Sequence, residues 1–201
     1  MHVIRVGQDA VLVEVADAAT ALDLALWARD RLAVREVVPA ARTVLLDGLA
    51  RPAEVSEELA GWTPGEGLAE EGDPVDVAVH YDGPDLAVVA EAWGIAAEQV
   101  PERHAEAQYV VAFCGFAPGF SYLTAREGDG PVPPPVPRRD SPRSRVEPGS
   151  VGLAGPFTGI YPTASPGGWQ LIGRTDAPLW RPDREPPALL PPGTRVRFVP
   201  A

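Results

Sequence analysis

The residues with the clearest chemical potential lie at positions 158–175, where aromatic side chains, glycines and one arginine alternate. A strand over residues 168–174 places every second side chain on the same face, so Gln170 and Arg174 lie together. We expect this face to be solvated or to bear a ligand. Gly173 inside the strand indicates a bulge or the close approach of a ligand. The pattern fits a binding groove and a tight turn that feeds a β-barrel strand equally well.

Four arginines fall within eight residues of a chain that is otherwise acidic: Arg138, Arg139, Arg143 and Arg145. A guanidinium fork is the natural receptor for a carboxylate or a phosphate, because its N–H groups can bond both oxygens at once. The cluster therefore predicts an anionic ligand or an acidic partner. Surface ion pairing, for instance with Asp140 or Glu147, is the alternative explanation.

Two glycine-rich segments supply aromatic surface, which suits a small concave pocket or a protein interface, although core packing accounts for part of it. The residues are Phe116, Phe120, Tyr122, Phe157, Tyr161 and Trp169. His104, where a predicted helix gives way to a strand, is a candidate general base or ligand contact, with a solvated or capping histidine as the alternative. Neither a paired acid and base nor an activated nucleophile can be identified, which indicates a partial site.

Composition excludes several classes of function. A formal net charge of −11 argues against a nucleic acid or an anionic membrane as partner. All 17 basic residues are arginine, so a phosphate-loop lysine, a Schiff-base lysine and a biotin-bearing lysine are excluded. One cysteine and three scattered histidines make a metal centre and an internal disulfide unexpected. No apolar run suggests a membrane span or a signal peptide, so we expect a cytoplasmic protein.

The first part of the chain shows the pattern strand, helix, strand, helix. Asp17 is the predicted N-cap of the first helix, whose polar side carries Asp23 and Asp30. Residues 61–74 are rich in glycine and proline, as in a linker. We therefore predict a small α/β domain over residues 1–74.

The remaining residues, 75–201, predict a β-rich domain. A strand is expected from residue 75, a helix over residues 84–93 and a buried strand over residues 109–113. Short strands separated by proline and glycine continue to residues 195–198, which favours a barrel or a sandwich. The predicted fold class is α+β, an α/β domain followed by a β-barrel domain.

Several motifs, in this order and spacing, resemble the family of 5-oxoprolinase B subunits, also known as allophanate hydrolase subunit 1 or the KipI-like kinase inhibitors. The residues that carry the resemblance are 83–86 (GPDL), 115–123 (GFAPGFSYL), 137–139 (PRR), 142–143 (PR), 148–155 (PGSVGLAG) and 158–175, with a weaker match at 39–42 (PAAR). The resemblance covers most of the chain.

The resemblance implies a cyclophilin-like β-barrel as the second domain. It also implies two partners, a homologous barrel protein (the C subunit) and a third protein (the A subunit), which together with this chain open 5-oxoproline to glutamate with ATP. Two other activities occur in similar sequences, namely carboxyl transfer to urea or a related amide and inhibition of a histidine kinase. Prolyl isomerase activity does not follow from the topology, because fold and chemistry are separable.

We therefore predict an enzyme subunit that is inactive alone and whose barrel pocket binds a small amide substrate. The predicted substrate contacts are Phe116, Tyr122, Arg138, Thr158, Tyr161 and Trp169, and the catalytic candidates are His104, Arg143 and Arg174. Because the chain has no lysine and no phosphate loop, we expect another subunit to bind most of the ATP. Phe157 stands where the family usually has glutamine, which predicts a different substrate if that glutamine contacts it.

Overall fold

The structure is a computed structural model that describes residues 1–65 and 73–201. The chain divides into two compact units, Met1–Gly72 and Asp73–Ala201. The predicted linker, residues 61–74, lies partly outside the described residues. Within the described ranges, no helix has both the length and the apolar character needed to cross a membrane.

Over its described residues, 1–65, the first unit has four strands and two helices: β1 (His2–Val6), β2 (Ala10–Glu14), α1 (Ala18–Arg31), β3 (Glu36–Pro39), β4 (Thr43–Asp47) and α2 (Val55–Leu59). The strands form one antiparallel sheet in the order β1-β2-β4-β3. Apolar side chains of α1, β2 and β4 fill its core. The predicted alternation of strands and helices is present. The sheet also contains β3, which the sequence pattern did not predict.

Two aspartates of helix α1 show where the helical pattern succeeded and where it failed. Asp17 caps the helix as predicted, because its Oδ1 accepts the Thr20 N–H at 2.8 Å. Asp23 was expected on the polar side, and this prediction is wrong, since Asp23 is only 2% exposed. Its carboxylate accepts Trp62 Nε1–H at 3.2 Å and the Gly65 N–H at 2.8 Å. These donors lie about 40 residues away in sequence, where helix periodicity cannot indicate them.

The second unit contains nine strands, two α-helices and one 3₁₀ turn: β5 (Val75–Val79), α3 (Leu86–Trp93), the 3₁₀ turn (Ala97–Gln99), α4 (Val100–Glu106), β6 (Tyr109–Cys114), β7 (Ser121–Ala125), β8 (Arg143–Val146), β9 (Ser150–Ala154), β10 (Phe157–Ile160), β11 (Ser165–Gly167), β12 (Gln170–Arg174) and β13 (Arg195–Pro200). Seven strands form one sheet in the order β12-β9-β10-β7-β6-β13-β5. Neighbours are antiparallel except β13 and β5, which are parallel.

The two outer strands of this sheet meet at His80 and Arg174, whose main chains exchange two hydrogen bonds of 2.9 Å. The sheet therefore curls into a nearly closed barrel, which confirms the predicted β-barrel. Strands β8 and β11 form a separate two-stranded ribbon.

Side-chain alternation decides which residues fill the barrel and which face outward. Leu153 and Ile172 belong to the interior core, whereas Leu171 belongs to a second cluster on the opposite side of the sheet. Gly173 lies at a register shift between β9 and β12, which confirms the predicted bulge. A Cβ at Gly173 would overlap the carbonyl oxygen of His80. Glycine is therefore required for the barrel seam to close.

Candidate functional site

Six aromatic side chains form a continuous cluster on the outer side of the barrel sheet, which we call the aromatic face: Phe116, Phe120, Tyr122, Phe157, Tyr161 and Trp169. Phe120 lies at its centre. The Phe120 ring centroid is 5.0 Å from that of Tyr122 and 5.3 Å from those of Phe116 and Trp169. Most of the ring pairs pack edge to face, the geometry that aromatic quadrupoles favour. Both glycine-rich segments thus contribute to one surface.

Phe116 presents its ring in the loop between β6 and β7. Its φ is +69°, in the left-handed region that a residue with a Cβ seldom adopts. The Ala117 N–H donates to the Gly115 carbonyl at 2.8 Å, which encloses Phe116 in a strained three-residue turn. The ring is nevertheless 62% exposed. A large apolar residue held in a strained, solvent-facing position suggests a contact role, because packing alone does not explain it.

Tyr161 is buried in the aromatic face and fixed from two sides. The main-chain N–H of Trp169 donates to the Tyr161 hydroxyl oxygen, and a Cβ at Gly167 would overlap that oxygen. Burial raises the pKa of Tyr161, while the Trp169 N–H and the guanidinium of Arg138 act in the opposite direction. The phenol therefore stays protonated at neutral pH and can donate a hydrogen bond.

Arg138 is an exposed cation in the loop beside the aromatic face. The next residue, Arg139, donates its main-chain N–H to the Gly168 carbonyl at 2.8 Å, immediately before Trp169. Burial raises the pKa of Tyr122 and that of Tyr161, and the charge of Arg138 acts in the opposite direction on both, as that of Arg143 does on Tyr161. In the described part of the chain, no hydrogen bond or ion pair holds the Arg138 side chain. A guanidinium in this position is available to a carboxylate.

Asp85, which the sequence analysis did not single out, holds the neighbouring arginines. Its side chain is 4% exposed. Its Oδ1 accepts Arg139 Nη1–H at 3.2 Å and Arg143 Nη2–H at 2.8 Å, and its Oδ2 accepts the Leu171 N–H at 2.6 Å. Arg143 also donates to the Trp169 carbonyl at 3.4 Å. The Arg143 guanidinium is thus bound by the protein itself, whereas a catalytic role for it stays a prediction.

Asp85 directly precedes helix α3, a position where an aspartate often acts as the N-cap. Helix α3 begins at Leu86, yet the Asp85 side chain makes no capping hydrogen bond and turns to the arginines instead. Of the expected surface ion pairs, Arg145–Glu147 is present at 2.7 Å. No ion pair of Asp140 occurs among the residues that the structure describes.

His104 and Thr158 lie inside the barrel, away from the aromatic face. His104 is fully buried, with Nδ1 2.8 Å from the Tyr81 hydroxyl and Nε2 3.0 Å from Thr158 Oγ1. Burial lowers the pKa of His104 to about 3, so the ring is neutral at physiological pH. Thr158 Oγ1 also donates to the Gly152 carbonyl at 3.3 Å. Base catalysis by His104 and substrate binding by Thr158 stay predictions, and the structure groups neither residue with the aromatic face.

Strand β12 differs from the expected solvated face. Gln170 is 4% exposed, and its Nε2 donates to the Pro137 carbonyl at 3.1 Å. Ile172, on the same side, packs in the barrel core. Arg174 is exposed, but its Nε binds Asp82 Oδ2 at 2.8 Å at the barrel seam, and the structure does not group it with the aromatic face. The face prediction is wrong for Gln170 because neighbouring segments cover both sides of β12.

Only part of the aromatic face is accessible. Phe116 is exposed and Tyr122 and Phe157 are half-buried, whereas Phe120, Tyr161 and Trp169 are buried. The accessible rings and the exposed guanidinium of Arg138 are side-chain types that suit a small planar anion. The rings of the aromatic face include no histidine, and in the described ranges no group of three or more His, Cys, Asp or Glu residues could hold a metal. This set of side chains offers neither a nucleophile nor a base.

The barrel fold defines the second unit as a cyclophilin-like domain of the kind found in carboxyltransferases. The crystal structure of TTHA0988 superposes with a TM-score of 0.74 at 36% identity, over 96% of this chain and 40% of that one. The urea carboxylase of Kluyveromyces lactis shares the fold, with a TM-score of 0.65 at 19% identity over 99% of this chain and 21% of that one. The chain belongs to the family described as carboxyltransferase domain, subdomain C and D, whose model matches residues 1–190.

Curated relatives of the chain carry the name of the 5-oxoprolinase B subunit. The protein from Escherichia coli O157:H7 is 50% identical over 142 residues, which cover 69% of this chain and 63% of that protein. The protein from Bacillus subtilis is 45% identical over 128 residues, which cover 62% of this chain and 52% of that protein. The matched regions thus span between about half and two thirds of these relatives. The resemblance found in the motifs is confirmed.

Proposed function

We propose that the chain is a non-autonomous subunit of an ATP-dependent 5-oxoprolinase. In this proposal it acts with a homologous barrel protein, the C subunit, and with a third protein, the A subunit. The complex converts 5-oxoproline, ATP and water to glutamate, ADP and phosphate. The names of the curated relatives support the reaction and the division into subunits.

The observation that carries the proposal is the aromatic face with Arg138 at its side. The substrate is a small planar lactam with one carboxylate. Ring surface at Phe116 and Tyr122 suits the lactam, and the guanidinium of Arg138 suits the carboxylate. The face supplies no base, so a second polypeptide provides the remaining catalytic groups. The absence of lysine from the sequence supports the proposal that a different polypeptide binds most of the ATP.

The test is reconstitution. The chain is purified alone and together with candidate A and C subunits, and 5-oxoproline-dependent phosphate release is measured. We expect turnover only in the mixture. Arg138→Gln should raise the KM for 5-oxoproline by about 10- to 100-fold, the equivalent of one charged hydrogen bond. Arg145→Gln is the matched control, because Arg145 is exposed and its guanidinium is already paired with Glu147.

Two results would contradict the proposal. Turnover by the isolated chain would show that the site is complete, and no turnover in any mixture would remove the assignment of substrate. Inhibition of a histidine kinase in the absence of turnover would favour the regulatory function that occurs in similar sequences.

A role in a carboxyltransferase-type enzyme is the second candidate. A match at 41% identity over 63 residues to the urea amidolyase of Saccharomyces cerevisiae, covering 29% of this chain and 3% of that protein, favours it. This function predicts turnover of urea or a related amide that depends on bicarbonate and on a separate biotinylated protein. Bicarbonate dependence in the reconstituted mixture therefore separates the two candidates.

A further inference from the structure

The loop over residues 137–143 carries three arginines of identical chemistry, but the structure treats them differently. Arg139 and Arg143 share the buried carboxylate of Asp85, whereas Arg138 faces solvent in the loop beside the aromatic face. One carboxylate thus holds two guanidiniums and leaves the third unpaired in the described part of the chain.

The same loop is fastened to strand β12 and to the residues just before it by main-chain contacts. The Arg139 N–H donates to the Gly168 carbonyl at 2.8 Å, and the Pro137 carbonyl accepts Gln170 Nε2–H at 3.1 Å. These two contacts flank Arg138 in sequence. Asp85 also accepts the Leu171 N–H at 2.6 Å, so it links the two arginines that it binds to strand β12.

We propose that Asp85 is a positioning residue, which fixes this loop so that Arg138 alone is directed to the carboxylate of the substrate. This inference rests on the proposed function, since it assigns the substrate carboxylate to Arg138. Asp85 touches neither the substrate nor the reacting atoms. It acts through Arg139 and Arg143, whose guanidiniums would otherwise repel Arg138 and compete with it for the anion.

A buried carboxylate with two guanidinium partners and one N–H donor is well suited to this role. Removing the charge of Asp85 leaves Arg139 and Arg143 without their anion, and the loop loses its attachment next to Leu171. Displacement of Arg138 by about 1 Å is enough to weaken its bidentate contact with a ligand, at a cost on the order of tenfold or more.

The test is a double-mutant cycle in the reconstituted complex, with Asp85→Asn and Arg138→Gln made singly and together. We expect Asp85→Asn to raise the KM for 5-oxoproline about tenfold and to change kcat little. In the Arg138→Gln background the same change should have almost no effect on KM, because the group that it positions is absent. Asp76→Asn is the matched control, since Asp76 also pairs with an arginine, Arg197, at 2.7 Å, but lies on β5.

Multiplicative effects of Asp85→Asn and Arg138→Gln on KM would overturn the proposal, because they would show that Asp85 acts through another group. A fall in kcat equal to the change in kcat/KM would do the same. If Asp85→Asn prevents folding, Arg139→Gln serves instead, because it removes one of the two guanidiniums that Asp85 binds. It should raise the KM for 5-oxoproline by less than tenfold, and only when Arg138 is present.

Hydrogen exchange separates the failure of this inference from failure of the proposed function, because it needs no turnover. Asp85→Asn should speed exchange of the Arg139 amide while strand β6 (Tyr109–Cys114) stays protected. If Asp85→Asn leaves the protection of the Arg139 amide unchanged, Asp85 does not hold the loop in place, even if the complex is active. If Asp85→Asn removes Arg139 protection but the complex never hydrolyses 5-oxoproline, the positioning role of Asp85 stands and the assignment of 5-oxoproline as substrate is wrong.

Discussion

Buried His104 predicts a specific dependence of the barrel's stability on pH. Its ring nitrogens bond Tyr81 and Thr158 inside the barrel, and burial lowers the pKa of His104 to about 3. In the unfolded chain a histidine titrates near pH 6.5. Between these values the unfolded state binds a proton that the folded state does not, so stability is complete above pH 6.5 and is lost as the pH falls.

The size of this effect follows from the linkage relation. Each pH unit below about 6.5 costs about 1.4 kcal/mol, so the free energy of unfolding should fall by about 2 kcal/mol between pH 6.5 and pH 5. Urea unfolding of the whole chain at pH 7.5 and pH 5.0 measures it. His104→Gln removes the titrating ring and should flatten the dependence, whereas His80→Gln, at an exposed position in the same unit, should retain it. Equal pH dependence in the wild type and His104→Gln would refute the reasoning.

Three further substitutions test particular contacts. Thr158→Val removes the Oγ1 partner of His104 Nε2 and should lower the free energy of unfolding by about 1–3 kcal/mol in urea titrations. Gly167→Ala places a methyl group against the Tyr161 hydroxyl and should lower the unfolding temperature. Tyr161→Phe should relieve this effect only in part in the double variant, because the ring carbons Cζ and Cε1 also lie 2.8 and 2.9 Å from the added Cβ. Phe116→Gly releases a positive φ and should raise the free energy of unfolding by about 1 kcal/mol, while it lowers turnover of the reconstituted complex.

Local patterns predicted the features whose causes are local. Asp17 caps α1 through a residue three positions away, and Gly173 forms the expected bulge within its own strand. The barrel was predictable because short strands between glycine and proline have few other ways to bury their apolar side chains. The aromatic residues could be listed from the sequence as well, since composition alone distinguished them.

Long-range pairing explains what the patterns missed. Asp85 meets Arg139 and Arg143 across 54 and 58 residues of sequence, and it meets the Leu171 N–H across 86. Nothing within its own helix indicates these partners. Alternation along β10 separates Thr158 from Phe157 correctly, but it cannot tell which side is the barrel interior. The sequence therefore grouped His104 and Thr158 with the aromatic residues, although they lie on opposite sides of the sheet.

The charge of the loop explains how an acidic chain can present an anion site. The chain carries a formal net charge of −11, yet charges more than about 8 Å away are largely screened at physiological ionic strength. Near Arg138, three arginines (Arg138, Arg139 and Arg143) face two carboxylates, Asp85 and Asp140, which leaves one positive charge. Buried Asp85 binds Arg139 and Arg143, whereas Arg138 is exposed and has no ion-pair partner in the described part of the chain, so its guanidinium is the one most open to a ligand. The distribution of partners, rather than the number of arginines, therefore determines where a carboxylate can bind.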